Sequence, residues 1–132
     1  MIKFLVVDDE KDIEMLFRQK FRKEIKRKEI EMKFAFSGKE ALEILETADP
    51  PDVIYVFSDI NMPGMSGLDL LDTIREKYPK IKVCMISAYG DSENFERAIN
   101  SGAKGFFAKP IDFNSLKKEI KNMIDKPAGK DS

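Results

Sequence analysis

Short apolar runs recur along the chain and alternate with longer segments of helical periodicity. Four of these runs have the length and composition of buried strands, and they cover Ile2–Val7, Val53–Phe57, Val83–Ile86 and Gly105–Ala108. A fifth and weaker run, Met32–Phe36, alternates large apolar residues with Lys and Ala, as a half-exposed edge strand does. Strands separated by helices in this way are typical of a parallel sheet that helices cover on both faces.

The spacing of apolar residues predicts five helices, each following one strand. The first spans roughly Lys11 to Lys28 and has a basic outer face, the second begins at a Ser37–Glu40 capping box, and the last follows an Asp112 N-cap. The apolar stripes of the five helices are Ile13, Leu16, Phe17, Phe21 and Ile25; Ala41, Leu42, Ile44, Leu45 and Ala48; Leu68, Leu71, Ile74 and Tyr78; Phe95, Ala98 and Ile99; and Phe113, Leu116, Ile120 and Met123. The sequence therefore predicts an α/β domain of five strand-helix units.

Length and charge limit the function classes. The chain has 132 residues, enough for one domain, which we assign to residues 1–125; residues 126–132 have the composition of a flexible tail or truncated linker. With 23 Lys and Arg against 24 Asp and Glu, the formal charge is −1, so no overall field attracts nucleic acid. The apolar runs are far shorter than the ~20 residues of a membrane span. The single cysteine, Cys84, cannot form an internal disulfide, which favours a cytoplasmic location.

Residues suited to phosphoryl chemistry collect directly after four of the predicted strands. Asp8 and Asp9 follow the first strand, Asp59 the third, Ser87 the fourth and Lys109 the fifth. In a doubly wound sheet, ligands bind at the carboxyl ends of the strands, so we expect these five side chains to converge. Each alone has an ordinary explanation as a cap, a turn residue or a solvated charge, but together they place three negative charges beside one positive charge. Such a cluster either raises the pKa of a carboxylate or recruits a divalent cation such as Mg²⁺.

Four segments together resemble the receiver domain of two-component response regulators. They are VVDDE at 6–10, SDINMPGMSG at 58–67, MISAYG at 85–90 and GFFAKP at 105–110. The resemblance covers about residues 2–125. Within the family, the chain is similar to the single-domain, chemotaxis-regulator-like type. It implies a doubly wound, flavodoxin-like (βα)5 fold whose five-stranded parallel sheet has the order 2-1-3-4-5.

The resemblance implies a role for each residue of the acidic cluster. Asp59 would be the phosphoacceptor, which takes a phosphoryl group from the phosphohistidine of a sensor histidine kinase or a histidine phosphotransfer protein. Mg²⁺, or alternatively Mn²⁺, would be ligated by Asp9, Asp59 and the backbone carbonyl of Asn61, while Asp8 would act mainly through metal-bound water. Lys109 would form an ion pair with a phosphoryl oxygen.

The resemblance also implies switch and timing residues. Ser87 would bind a phosphoryl oxygen and, by moving towards it, would vacate space into which the aromatic ring of Phe106 turns. Lys109–Pro110 is expected to be a cis peptide. Asn61 and Tyr89 occupy the positions that tune hydrolysis of the aspartyl phosphate, and we expect the bulky Tyr89 to slow it relative to a Tyr89→Ala variant.

Two charged surfaces are candidates for contacts with partners. By the resemblance, helix four, strand five and helix five form the surface that contacts a twin domain or a separate effector, around Glu93, Glu96, Arg97, Lys117, Lys118 and Lys121. The chain would then be a monomer or a weak, phosphorylation-dependent dimer. Residues 18–33 contain eight Lys or Arg and three Glu, a net +5. This basic stretch fits either a hydrated helix end or a kinase-docking site.

The residues favour a phosphoacceptor switch, which is not a turnover enzyme, over three other functions. A Mg²⁺-dependent phosphohydrolase could use Asp59 as its nucleophile, but Asn61 stands where a second carboxylate would serve as the acid. A nucleotide-binding module would need a glycine-rich loop after the first strand, where Asp8 and Asp9 would instead repel phosphates. A receiver that has lost its acceptor chemistry is disfavoured because each acceptor-site residue is present. No helix-turn-helix fits after residue 125, so we expect no DNA binding within the chain.

Overall fold

A computed structural model describes residues 2–47, 53, 55–88 and 92–125. Five strands and six helices lie in these ranges. The strands are β1 (Ile2–Val7), β2 (Ile30–Ala35), β3 (Tyr55–Asp59), β4 (Lys82–Ala88) and β5 (Gly105–Lys109). The helices are α1 (Asp12–Lys20), α2 (Arg22–Lys26), α3 (Gly38–Glu46), α4 (Gly67–Lys77), α5 (Ser92–Asn100) and α6 (Phe113–Asp125). The predicted tail, residues 126–132, lies outside the described residues.

The five strands form one parallel sheet in the order β2-β1-β3-β4-β5. This order confirms the predicted doubly wound, flavodoxin-like fold. The chain places β2 on one side of β1 and then crosses to place β3 on the other side, so β1 lies between β2 and β3. The carboxyl ends of β1 and β3 consequently meet at a topological switch point, where open α/β sheets bind ligands.

Apolar residues cover both faces of the sheet because successive strand residues point to opposite faces. On β1, Leu5 and Val7 belong to one buried cluster, which includes residues of α3 and α4, whereas Phe4 and Val6 belong to another. The second cluster is rich in aromatic rings from α1, the residue between α1 and α2, α6 and the strands, namely Phe4, Phe17, Phe21, Tyr55, Phe57 and Phe113. The predicted covering of the sheet by helices on two sides is confirmed.

The predicted first helix is wrong as a single element. The backbone leaves helical geometry at Phe21 (φ −103°, ψ 17°), which separates α1 from α2. Phe21 is buried, and its ring stacks on that of Phe17 at 6.1 Å between centroids and meets Phe113 edge-on at 6.3 Å. The apolar stripe therefore continues across a break that periodicity alone does not reveal.

Helix α5 is the second departure from the predicted packing. Of its predicted apolar stripe only Ala98 is buried, while Phe95 is 46% and Ile99 43% exposed. The helix packs against β5, an edge strand, where the Phe95 ring meets the Phe106 ring at 5.2 Å, and this packing leaves much of the stripe exposed. Likewise, Leu16 of the first stripe is 36% exposed. Periodicity identifies a common face but not whether a neighbouring element covers it.

Helix starts follow the local hydrogen bonding predicted for them. The Ser37 hydroxyl accepts a hydrogen bond from the Glu40 N–H at 3.0 Å, and the Asp112 carboxylate accepts from the N–H of Asn114 at 3.1 Å. Each cap satisfies a backbone donor that has no partner inside its helix. Among the described residues, no helix is both long and apolar enough to cross a membrane.

Candidate phosphoacceptor and metal site

Asp8 and Asp9 follow β1, where the chain turns towards α1. Asp8 is 3% exposed, and its Oδ1 atom accepts a hydrogen bond from the Glu10 N–H at 2.9 Å. Its own N–H donates to the Ala35 carbonyl of β2 at 3.1 Å. Asp9 is exposed. The turn therefore fixes one carboxylate inside the site and leaves the other at its solvent edge.

Asp59 is the last residue of β3, a strand whose five residues are all buried. The hydroxyl of Ser58 donates to the backbone carbonyl of Asp59 at 2.9 Å, and Asp59 itself is 6% exposed. Buried Ile60 and Met62 anchor the loop that follows. The side chain of Asp59 is thus held at the rim of the sheet by the packing on either side of it.

Gly67 is a residue that sequence analysis missed as part of this site. Its N–H donates to the Ile60 carbonyl at 2.8 Å, which closes the loop after β3 onto the start of α4. A Cβ atom on Gly67 would lie 2.0 Å from the Asp59 carbonyl oxygen, so any larger residue would displace the acceptor backbone. The signal was the glycine that ends the segment 58–67, which could have been recognised as a close backbone approach.

Lys109 brings the ends of β1, β3 and β5 together. Its Nζ atom lies 3.2 Å from Asp8 Oδ2 and 3.5 Å from Asp59 Oδ1. The Lys109–Pro110 peptide bond is cis, the isomer that the resemblance implies. One ammonium group therefore bridges two buried carboxylates.

The charges in this site perturb one another. Burial, followed by the neighbouring charge of Asp8, raises the pKa of Asp59 to about 6, although Lys109 opposes the shift. Burial alone would lower the pKa of Lys109, but the charges of Asp59 and Asp8 outweigh it and leave that pKa above its ordinary value. The site carries more negative charge than Lys109 alone can neutralise.

The carboxylates fit a hard divalent cation. One oxygen from each of Asp8, Asp9 and Asp59 lies within 4.8 Å of the others. An all-oxygen donor set beside an excess of negative charge suits Mg²⁺ or Mn²⁺. Asn61, whose carbonyl is the further predicted ligand, lies two residues beyond Asp59 and is exposed.

The predicted switch residues lie on the two strands beyond the acceptor. Ser87 is fully buried near the end of β4, one position after Ile86, which pairs with Asp59. Phe106 pairs with Met85 and is half-buried; its ring meets the ring of Phe95 edge-on at 5.2 Å. Tyr89, the predicted timing residue, lies outside the described residues.

The family assignment rests on nearly the whole described domain. Residues 4–121 match the family model described as the response regulator receiver domain. The chain belongs to this family. The matched segment contains every residue of the site described above.

Two relatives of the receiver domain differ greatly in length. The chain is 35% identical to the response regulator protein PilR of Pseudomonas aeruginosa over 118 residues, which is 89% of this chain but 25% of PilR. It is 30% identical to sporulation initiation phosphotransferase F of Bacillus subtilis over 122 residues, 92% of this chain and 93% of that protein. The receiver domain therefore matches one part of a larger regulator and almost all of a small one.

Solved structures show the same architecture. A response regulator receiver domain protein from Clostridium thermocellum is 29% identical, with a TM-score of 0.82 and coverage of 95% of both chains. The response regulator TrrA from Thermotoga maritima, solved in complex with Mg²⁺-BeF, is 30% identical, with a TM-score of 0.76 and coverage of 93% of this chain and 99% of that chain.

The charged residues predicted for a shared output surface do not all face the same way. Glu93, Glu96 and Arg97 are exposed on α5. Lys117 instead lies 3.1 Å from Glu24 of α2 and covers the ring of Phe21 at 5.1 Å. The prediction that Lys117 belongs to the α5-β5-α6 surface is therefore wrong, because α6 turns this side chain towards α2.

Proposed function

We propose that the chain is a phosphoacceptor switch of a two-component phosphorelay, in which Asp59 accepts a phosphoryl group from a phosphohistidine. The convergence of Asp8, Asp9, Asp59 and Lys109 carries this proposal. Membership of the receiver family supports it, as does the similarity to TrrA, whose structure contains Mg²⁺-BeF. A site of this composition can lower the repulsion between a carboxylate nucleophile and an anionic phosphoryl group.

The transfer exchanges one bond to phosphorus for another. A carboxylate oxygen of Asp59 forms a bond to phosphorus while the bond from phosphorus to the donor imidazole nitrogen breaks. The electron pair of that bond leaves with the imidazole, and the product is an acyl phosphate on Asp59. The side chain contributes a nucleophile of fixed position, because the packing of β3 and the loop after it determines where its oxygens lie.

Lys109 and a cation held by the acidic residues would neutralise the negative charge of the reacting groups. Before transfer, the ammonium group of Lys109 neutralises part of the charge on Asp59 and Asp8 from 3.5 Å and 3.2 Å. After transfer it would pair with a phosphoryl oxygen, to which Ser87 would also donate a hydrogen bond. Asp8, Asp9 and Asp59, with the Asn61 carbonyl, would hold Mg²⁺ or Mn²⁺, which when bound neutralises charge on the phosphoryl oxygens.

The phosphorylated form would act through the α5-β5-α6 surface. Ser87 on β4 and Phe106 on β5 lie on neighbouring strands, so movement of the hydroxyl towards the phosphoryl group can change the space available to the ring. Phe106 contacts the exposed Phe95, so a change in the position of the Phe106 ring would reach the surface. We propose that this surface contacts an effector protein or a separate output domain, and that a sensor histidine kinase or a histidine phosphotransfer protein supplies the phosphoryl group.

Incubation with acetyl phosphate and Mg²⁺, followed by intact mass spectrometry, tests the proposal. We expect the wild-type chain to gain one phosphoryl group and the Asp59→Asn variant to gain none. Asp72→Asn, which changes an exposed aspartate on α4, is the matched control and should be modified like the wild type. Unchanged wild-type mass with several small phosphodonors would contradict the proposal. Multiple-turnover release of phosphate from a phosphomonoester would also contradict it and would favour a phosphohydrolase.

A further inference from the structure

A second charged region is not used by the proposed function. The basic surface, as we name it, comprises six exposed cations between positions 20 and 28: Lys20, Arg22, Lys23, Lys26, Arg27 and Lys28. The one carboxylate within these positions, Glu24, is already bound to Lys117 of α6 at 3.1 Å. Among the residues that the structure describes, none of the six cations lies within salt-bridge distance of a carboxylate.

The basic surface repels itself. Arg22 and Lys26, and Lys23 and Arg27, are separated by four positions, the spacing at which side chains on a helix are neighbours. Like charges at this spacing destabilise a helix. A partner with closely spaced negative charges would relieve this repulsion, whereas water and salt only screen it.

A groove of about 490 Å³ lies beside the basic surface, between α2 and α6. Its walls include the buried apolar residues Phe21, Ile30 and Ile120. Its charged lining is balanced, with Lys117 and Lys121 against Glu24 and Glu29, and Lys117 is paired with Glu24. We call it the basal groove, since it is lined by residues at the amino ends of β1 and β2. The groove supplies an apolar floor, and the six cations of the neighbouring basic surface, not the groove itself, supply the positive charge. This combination suits an apolar side chain followed or preceded by acidic ones that extend onto the basic surface.

We propose that the basic surface and the basal groove together bind an acidic segment of a partner protein, with one apolar side chain of that segment seated in the groove. Charge complementarity supplies the attraction and the groove supplies a defined anchor. A bilayer is disfavoured because the apolar residues of this stretch, such as Phe21 and Ile30, point inward and cannot insert. Nucleic acid is disfavoured because residues 20–28 present no exposed aromatic ring on which a base could stack.

This binding region is independent of phosphotransfer. Asp59 lies at the carboxyl end of the sheet, and the basal groove lies at the amino ends of β1 and β2, a strand length of roughly 20 Å away. A segment bound there leaves the acceptor site open to a phosphodonor. The inference therefore stands or fails separately from the proposed function.

Titration with short fluorescein-labelled peptides tests the proposal on the unphosphorylated chain. The probe peptide has glutamates flanking one phenylalanine; one comparison peptide has glutamines instead of the glutamates and another has alanine instead of the phenylalanine. At an ionic strength of about 0.15 M, we expect saturable binding of the probe and weaker binding of both comparison peptides. The Lys23→Glu/Arg27→Glu variant should bind the probe roughly tenfold more weakly, since exposed ion pairs are lost and repulsion is added.

A matched control separates a local surface from net charge. The Lys39→Glu/Lys80→Glu variant makes the same change of charge at exposed positions on α3 and before β4, and should retain wild-type affinity. Equal weakening in both double variants, no saturable binding of the probe, or equal affinity for the alanine peptide would overturn the proposal. The proposal would also be overturned if the chain bound a polythymidine oligonucleotide, or vesicles of phosphatidylcholine and phosphatidylserine, more tightly than the probe peptide and if this binding depended on Lys23 and Arg27. Self-association lost in the Lys23→Glu/Arg27→Glu variant would assign the surface to a second copy of the chain and overturn it likewise.

Discussion

Replacing Asp59 with asparagine keeps the shape of the side chain and removes a charge that the folded protein holds at a cost. Asp59 is 6% exposed and lies beside the buried carboxylate of Asp8, with which it shares one ammonium group. These surroundings raise the pKa of Asp59 from 3.8 to about 6, chiefly through burial. In the absence of a divalent cation, we therefore expect Asp59→Asn to stabilise the folded chain at neutral pH.

The pKa of Asp59 gives both the sign and the size of this effect. Because the pKa of Asp59 is higher in the folded than in the unfolded chain, the folded chain binds the proton more tightly between pH 3.8 and about 6. The free energy of unfolding of the wild type therefore falls as pH rises through this window. A pKa difference of about 2 corresponds to about 3 kcal/mol, at 1.36 kcal/mol per pH unit. The asparagine variant should escape this loss, which is complete above pH 6 and absent below 3.8.

Urea unfolding followed by circular dichroism, in buffers containing EDTA, measures the effect. We expect the free energy of unfolding of Asp59→Asn to exceed that of the wild type by about 1 to 3 kcal/mol at pH 7.5, and the two values to converge towards pH 4. The control Asp72→Asn, at an exposed site, should stay within about 0.5 kcal/mol of the wild type at both pH values. A stability difference that is the same at pH 4.5 and pH 7.5, or a less stable Asp59→Asn variant at pH 7.5, would refute the reasoning.

Three further predictions concern the metal ligands, the loop after the acceptor and the buried thiol. Millimolar Mg²⁺ should raise the Tm of the wild-type chain in differential scanning fluorimetry and have much less effect on Asp9→Ala; equal shifts would exclude Asp9 from the site. Gly67→Ala should lower the free energy of unfolding by about 2 to 4 kcal/mol in urea titrations, because its Cβ would lie 2.0 Å from the Asp59 carbonyl oxygen. Gly105→Ala, whose Cβ would meet only side-chain atoms, the Cys84 sulfur at 3.3 Å and the Phe107 ring at 3.4 Å, should cost less than about 1 kcal/mol, and similar losses in both variants would contradict the clash. Burial raises the pKa of Cys84 to about 12, so a thiol reagent at pH 8 should label it only after unfolding; rapid labelling of the native chain, followed by intact mass, would contradict this.

Much of the fold could be predicted because local signals and tertiary packing agree. The apolar run Ile2–Val7 became β1 with the predicted bounds, and the capping signals of Ser37 and Asp112 lie directly before α3 and α6. The run Met32–Phe36 was predicted two residues too late at its start. Pairing of Ile2 with Ile30 extends β2 towards its amino end, and this register depends on β1.

The predictions that failed concern contacts with a neighbouring element. Periodicity placed Phe95 on an inner face, but the packing of α5 against the edge strand β5 leaves that ring 46% exposed. Periodicity also joined α1 to α2, whereas the packing of Phe21 against Phe17 and Phe113 accompanies a break in the helix. The spacing of apolar residues defines one face of a helix. Whether that face is buried depends on the position of the neighbouring element.

The sequence by itself determined the order of strands and helices and the residues at each strand end, because apolar periodicity and capping act over a few residues. In a parallel sheet this order also places Asp8, Asp59 and Lys109 at the same edge. Only the tertiary structure decided how they meet. Lys109 and Asp8 are 101 positions apart, yet they lie 3.2 Å from each other. The raised pKa of Asp59 depends on burial and on charges from other strands, which no local pattern encodes.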